Sequence, residues 1–281
     1  MWVSKRRKTA RTGYPSSMRH ILLLTAILFA CALPTALHAQ STEADLKARL
    51  LKKPLYLRGC WRDDRLKFDS TGQLTSKSQP FPFTLSGIDI DSVKLKGDRL
   101  QLSGHRVGVL IEKDVPERRP LDERIQIEIL PTANQDYSQS LNAIFVDDLA
   151  ALVPTMPPYW QAWAQEHILH IAPIMPPKPA PIGGTGAMRV GGGVKAPRPL
   201  KMSDPAFSQA AHDLKVSGTV LVYLWVDQQG KPTHLRLLRP RGLGLDELSL
   251  AAVASYQFQP ATKDGKPVTV EMNVEVNFQV D

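Results

Sequence analysis

Cysteine is nearly absent. The 281 residues hold two, Cys31 and Cys60, and Cys31 lies in a stretch that reads as a removable leader. Cys60 then has no internal partner, so no disulfide can staple the fold. Its setting, Gly59-Cys60-Trp61, offers no group that would lower its pKa, and it reads as a small buried hydrophobe rather than a nucleophile. Acidic residues are missing from the first 39 positions, which carry Lys5, Arg6, Arg7, Lys8, Arg11 and Arg19. Most of the formal charge of +8 rests on those side chains, and the remaining chain is nearly neutral. That excludes a broad basic face for nucleic acid. No Gly-Lys-Ser/Thr follows the glycines between Gly183 and Gly193, so they form no phosphate loop. A Gly-x-Ser-x-Gly elbow, a Cys/His couple and a His-Glu-x-x-His helix are also missing. The expectation is a protein without catalytic residues, metal ligands or a cofactor.

What the first 39 residues do have is the order of a secretory leader. A basic region precedes the apolar run Ile21–Leu37, and Leu37-His38-Ala39 resembles a small-residue cleavage site, with cleavage expected after Ala39. Met18-Arg19-His20 followed by that run would be a complete signal by itself, which makes Met18 the expected true start. The expected fate is therefore export. Retention of residues 21–37 is the alternative: the run is at the lower limit for a membrane span and would anchor the chain in the inner membrane, its only membrane contact. A lipoprotein signal ending at Cys31 fits less well, because Phe29 is too large for the motif.

Residues 41–170 read as a mostly antiparallel β unit with helices at its ends. Leu46–Leu51 has a short helical pattern. Strand patterns follow at Leu55–Leu57, Leu66–Asp69, Ile88–Lys96, Arg99–Gly104, Val107–Glu112 and Arg124–Leu130, with Gly97-Asp98 as a two-residue turn. The period then changes: Leu141, Ile144, Phe145, Leu149 and Leu152 share a helical face, and Tyr159–Ile168 reads as a second helix. His167 and His170 follow Glu166 in an order that is not the zinc-protease pattern, and they read as the end of an amphipathic helix, with a weak metal site as the alternative. The adjacent Asp147 and Asp148 point different ways on a helix and cannot act as a pair. Tyr159, Trp160 and Trp163 read as core aromatics, with stacking on a ligand as the alternative. Residues 171–200, rich in proline and then in glycine, read as a linker that is stiff in its first half and flexible in its second.

From Lys201 the expected order is helix, strand, strand, helix, strand. Asp204 is a good N-cap with Pro205 at the first helical position. The last stretch, Val268–Val280, alternates without a break. Val268, Val270, Met272, Val274 and Val276 fall on the core face, and Glu271, Asn273 and Glu275 on the solvent face. A strand this long at the edge of its sheet leaves a row of unpaired main-chain groups, which is a hazard or a docking site for another extended chain. Val268, Val270, Glu271, Met272, Asn273, Val274, Glu275 and Val276 are the candidate partner-binding residues.

From Asp204 onward the chain resembles the TonB C-terminal domain family. The matching stretches are Asp204–Ala211, Gly218-Thr219-Val220 with Val226–Gly230, Leu245-Asp246-Glu247, Tyr256–Ala261, and Asp264–Val268 with the alternating strand. The resemblance covers under a third of the chain. It implies an α+β domain, a three-stranded antiparallel sheet with two helices on one face, that sits in the periplasm. Such domains bind a short extended segment of outer-membrane TonB-dependent receptors beside the final strand, as part of energy transduction. The chain departs from the family where anchors carry Ser and His four apart within the apolar helix: Ser16 and His20 have the spacing but precede the apolar run. Tyr256 also stands where a Trp is usual. The alternative is an envelope protein in which the 41–170 unit binds or modifies a ligand and the last domain is a tether or a dimerisation module.

Overall fold

The computed structural model describes residues 41–81, 83–173 and 186–280. The leader, the Ile21–Leu37 run and residues 174–185 lie outside them. Thr42 opens helix α1 (Glu43–Leu50) with a reciprocal capping box. Its hydroxyl accepts the Asp45 N–H at 3.2 Å, and the Asp45 carboxylate accepts the Thr42 N–H at 3.2 Å. The chain then lays down β1 (Leu55–Leu57), β2 (Arg65–Phe68), β3 (Ser86–Lys96), β4 (Arg99–Glu112) and β5 (Val115–Ile129). Helix α2 (Ser138–Ile144) and β6 (Phe145–Val146) follow. These strands make one sheet in the order β2-β5-β4-β3-β1-β6, antiparallel except where β2 meets β5. Leu46 and Leu50 of α1, Leu141 of α2 and the inward Ile125, Ile127 and Ile129 of β5 close a core over this sheet.

Two expectations change here. The stretches read as separate strands, 99–104 and 107–112, are a single strand that continues through a register shift at His105–Val107. The helix read through Leu152 stops at Ile144. Phe145 and Val146 instead pair with Leu57 and Tyr56, which gives the edge of β1 a main-chain partner. A 3-10 turn (Leu149–Thr155) leads into helix α3 (Pro158–His167).

The second half contributes β7 (Met188–Arg189), β8 (Val194–Lys195), β9 (Arg198–Lys201), α4 (Gln209–Asp213), β10 (Gly218–Val226) and β11 (Pro232–Arg239). After helix α5 (Leu245–Ala254) come β12 (Gln257–Gln259), β13 (Ala261–Lys263), β14 (Lys266–Val268) and β15 (Val270–Phe278). The expected three antiparallel strands are β11, β10 and β15, and β7 adds a short parallel fourth beside β15. Residues 188–201, read as a flexible linker, thus hold three short strands. β8 and β9 find main-chain partners in β13 and β12. Helix α4 starts at Gln209 rather than at Pro205. Ser208 caps it, accepting the Ala211 N–H at 3.0 Å while donating to the Leu243 carbonyl at 2.6 Å. That long-range bond selects the cap over the local Asp204-Pro205 signal.

The two halves meet through β4. β3 ends its pairing at Ser86 opposite Gly108, so that side of β4 is open beyond Gly108. The loop before α5 takes the place: Ile111 N–H donates to the Arg241 carbonyl and Leu243 N–H to the Val109 carbonyl, both at 2.9 Å. The Arg241 guanidinium also donates to the carbonyls of Ile111 at 3.0 Å and Ser217 at 3.0 Å. One core joins Val109, Ile111, Trp160 and Trp163 to Val222, Leu237, Leu250 and Val253. The change of composition at 171–200 is therefore a boundary in the sequence across which side chains pack continuously.

Gly242 makes this approach feasible. Its φ is +81°, and a Cβ there would lie 2.0 Å from the Val109 carbonyl oxygen. Gly242→Ala is expected to destabilise the chain by at least the backbone strain, about 1–2 kcal/mol, and to loosen the β4 junction. Urea unfolding checks this; an unchanged midpoint would show the close approach to be dispensable.

Candidate partner-binding edge

β15 alternates as its sequence predicts. Val270, Val276 and Phe278 are buried at 0–3% exposure, and Met272 and Val274 pack partly against the same core. The Phe278 ring meets Phe207 edge-on, with centroids 5.5 Å apart. Asn273, Glu275 and Asn277 are exposed on the other face. Glu271 departs from the expected solvent face: its side chain is 14% exposed. It accepts from the Tyr223 hydroxyl at 2.7 Å and from Arg189 Nε at 3.0 Å, and Trp225 Nε1 donates to the same Tyr223 oxygen at 2.6 Å. Burial, and then the bond to Glu271, pushes the Tyr223 phenol up. Aromatics on β10 thus cover a carboxylate whose own strand shows no reason for burial.

Val268 does not belong to this strand. It lies in β14 opposite Ala261, and the chain changes sheets at Thr269. The hairpin through Asp264 (φ 50°) and Gly265 (φ 77°) holds Val268 against β13, so the unbroken alternation hides a break. The other candidate residues, from Val270 to Val276, lie on β15.

β10 pairs with β15 along the whole of Val270–Phe278, whereas β7 covers only Val270 and Glu271 on the opposite side. Met188 N–H donates to the Thr269 carbonyl at 2.9 Å, so the main-chain groups of Thr269 point away from β10. By strand alternation, those of Glu271, Asn273, Glu275 and Asn277 do the same. From Met272 onward this side of β15 pairs with no strand among the described residues.

Sequence reading missed a second cluster, at the junction. Asp246 is fully buried and accepts the N–H groups of Arg241 and Gly242, each at 2.7 Å. Glu247 Oε1 accepts the Thr84 N–H at 3.0 Å and the Trp160 indole N–H at 3.1 Å. Burial pushes both carboxyls up, and for Asp246 the neighbouring charge of Glu247 adds to it. In sequence these are two acids in the first turn of a helix, a pattern that ordinarily faces water beside the helix dipole. Arg241 and Gly242, held against β4, cover Asp246, and Thr84 and Trp160, remote in sequence, cover Glu247.

The remaining candidates fall into packing roles. Trp160 and Trp163 are 1% and 2% exposed in the shared core, and His167 stands against Trp163 with centroids 5.3 Å apart. Cys60 is buried, which pushes its thiol up. Among the described residues, no group of three or more His, Cys, Asp or Glu could hold a metal ion, and no helix is long and apolar enough to cross a membrane.

Residues 203–280 match the family model for the Gram-negative bacterial TonB protein C-terminal region. Over 78 residues the chain is 30% identical to Protein TonB of Vibrio cholerae serotype O1; the match covers 27% of this chain and 32% of that protein. The chain thus spans about a third of the length of that curated relative. A solution NMR structure of the Pseudomonas aeruginosa TonB CTD is similar at 21% identity and a TM-score of 0.27, covering 32% of this chain and 90% of that one. With its helices and long strands in the expected α-β-β-α-β order, the 203–280 segment is a TonB C-terminal domain.

Proposed function

We propose that this is a cell-envelope protein of the periplasm whose TonB-type domain holds an extended segment of an outer-membrane receptor beside β15, and so takes part in transport across the outer membrane. The observation that carries the reading is the run of outward main-chain groups at Asn273, Glu275 and Asn277, unpaired by any described strand, on the last strand of a TonB C-terminal domain. Main-chain bonds supply the attachment and alternate side chains the selectivity. A second copy of the chain is the other occupant such an edge accepts. The shared core favours an N-terminal sheet carried rigidly with the domain rather than an extended spacer.

Proline separates the two sides of the strand. Asn273→Pro removes an outward N–H and no core side chain, so the fold is expected to survive and partner capture to fail. Val274→Pro removes an N–H that faces β10, costing about 1 kcal/mol for the bond and about 1–3 kcal/mol for the carbonyl left unpaired. A photoactivatable residue at Asn277 in intact cells should give an adduct with an outer-membrane protein. An adduct between two copies would assign the edge to self-pairing. Melting temperature and adduct yield are measured together: if Asn273→Pro stays folded and captures the same partner equally well, pairing at this edge is wrong.

A further inference from the structure

β7 occupies the beginning of the same edge. Met188 sits opposite Val270 and Arg189 opposite Glu271, in the parallel direction. The grip has three parts: the Met188 N–H to Thr269, the Arg189–Glu271 ion pair at 3.0 Å, and Met188 packed partly against the core. It is a short grip. Two residues pair where β15 offers nine to β10. The Arg189 side chain is 88% exposed, so its ion pair is screened by water. Val190, next along, is 47% exposed. The chain then turns through Gly191, Gly192 and Gly193, at φ of 108°, 59° and 88°, into β8, which is fastened separately to β13. A Cβ on any of these glycines would meet nothing within 4 Å. The turn therefore has open space around it, and β7 can leave β15 without disturbing β8.

We propose that β7 is a built-in competitor for the partner-binding edge, a strap that an incoming strand displaces to pair with the whole of β15. The proposal rests on the edge reading given above. A longer strand wins because it forms more main-chain bonds than the two-residue β7, and it must replace Arg189 with its own donor to Glu271. With β7 in place, the edge begins at Met272 and rejects strands too short to make up the loss. The strap thus sets a minimum length for the segment that binds.

Two measurements test it. Hydrogen exchange on the intact chain needs no partner: if the strap opens locally, the Met188 amide exchanges about tenfold or more faster than the β15 amides bonded to β10. Equal rates would mean that the strap leaves only on unfolding, and would overturn the proposal. The second is a reversible lock. Arg189→Cys with Glu271→Cys places two thiols at directly opposed positions, where a disulfide pins β7. With the photoactivatable residue at Asn277, capture is expected to be about tenfold lower in the oxidised chain and to recover on reduction, following the fraction of chains with an open edge. Equal capture with and without reductant overturns the strap alone. Loss of capture in the unlocked parent chain would overturn the edge reading itself.

Discussion

Asp246→Ala is expected to lower the unfolding free energy by about 1–3 kcal/mol for the buried Gly242 N–H that loses its acceptor, with a smaller loss at the half-buried Arg241 N–H. Those donors belong to Arg241 and Gly242, the residues that hold the loop against β4. The damage should therefore spread to the junction rather than stay in α5, and exchange protection of the Ile111 and Leu243 amides should fall together. A variant with parental stability would mean that water replaces the carboxylate, and the burial argument would fail. The same cluster sets a pH dependence. Burial raises the folded pKa of Asp246 and Glu247, so the folded chain keeps protons that the unfolded chain releases. Their contribution is fully present below the unfolded carboxyl values near 4 and is lost as pH rises through the raised folded values. Asp69 acts in the opposite sense: the Thr71 hydroxyl and then the Gln73 N–H hold it down, so its contribution disappears as the solution is acidified. The urea midpoint should be highest in mildly acidic solution and decline toward alkaline pH. Glu247→Gln keeps an oxygen for Thr84 and Trp160 and removes the charge beside Asp246, so it should flatten that decline. A parental slope in Glu247→Gln would remove this pair as the cause.

Trp160→Ala should cost about 3–5 kcal/mol, which for a unit of this size lowers the melting temperature by about 6–20 °C. The indole is 1% exposed and its N–H is one of the donors to Glu247. Truncation leaves both a void and a buried carboxylate with one partner fewer. Trp160 lies in the 41–170 stretch but packs in a core shared with the C-terminal domain, so the loss is expected in one cooperative transition. Calorimetry decides: two separated transitions, with only one moved by the substitution, would mean that the halves unfold independently.

The elements whose reasons are local were legible in the sequence. The helical pattern at Leu46–Leu51 (covering the later part of α1), the Gly97-Asp98 hairpin, α3, β10, β11 and α5 follow from periodicity and turn residues within a few positions of each other. The polar/apolar alternation of β15 was readable for the same reason, since a period of two needs only the strand itself. Tertiary structure decided whatever depended on a partner far along the chain. Phe145 and Val146 left a helical pattern because β1 had an open edge, and Ser208 displaced Asp204 as a cap because Leu243 supplied a carbonyl. Val268 left the last strand for Ala261, and residues 188–201 became strands because β12, β13 and β15 had unpaired main chain. Glu271 read as a solvent-facing acid and was covered by Tyr223 and Arg189, more than forty positions away, and Glu247 was likewise covered by Thr84 and Trp160. Main-chain groups need partners once water is excluded, and the chain supplies them wherever the fold brings an edge within reach.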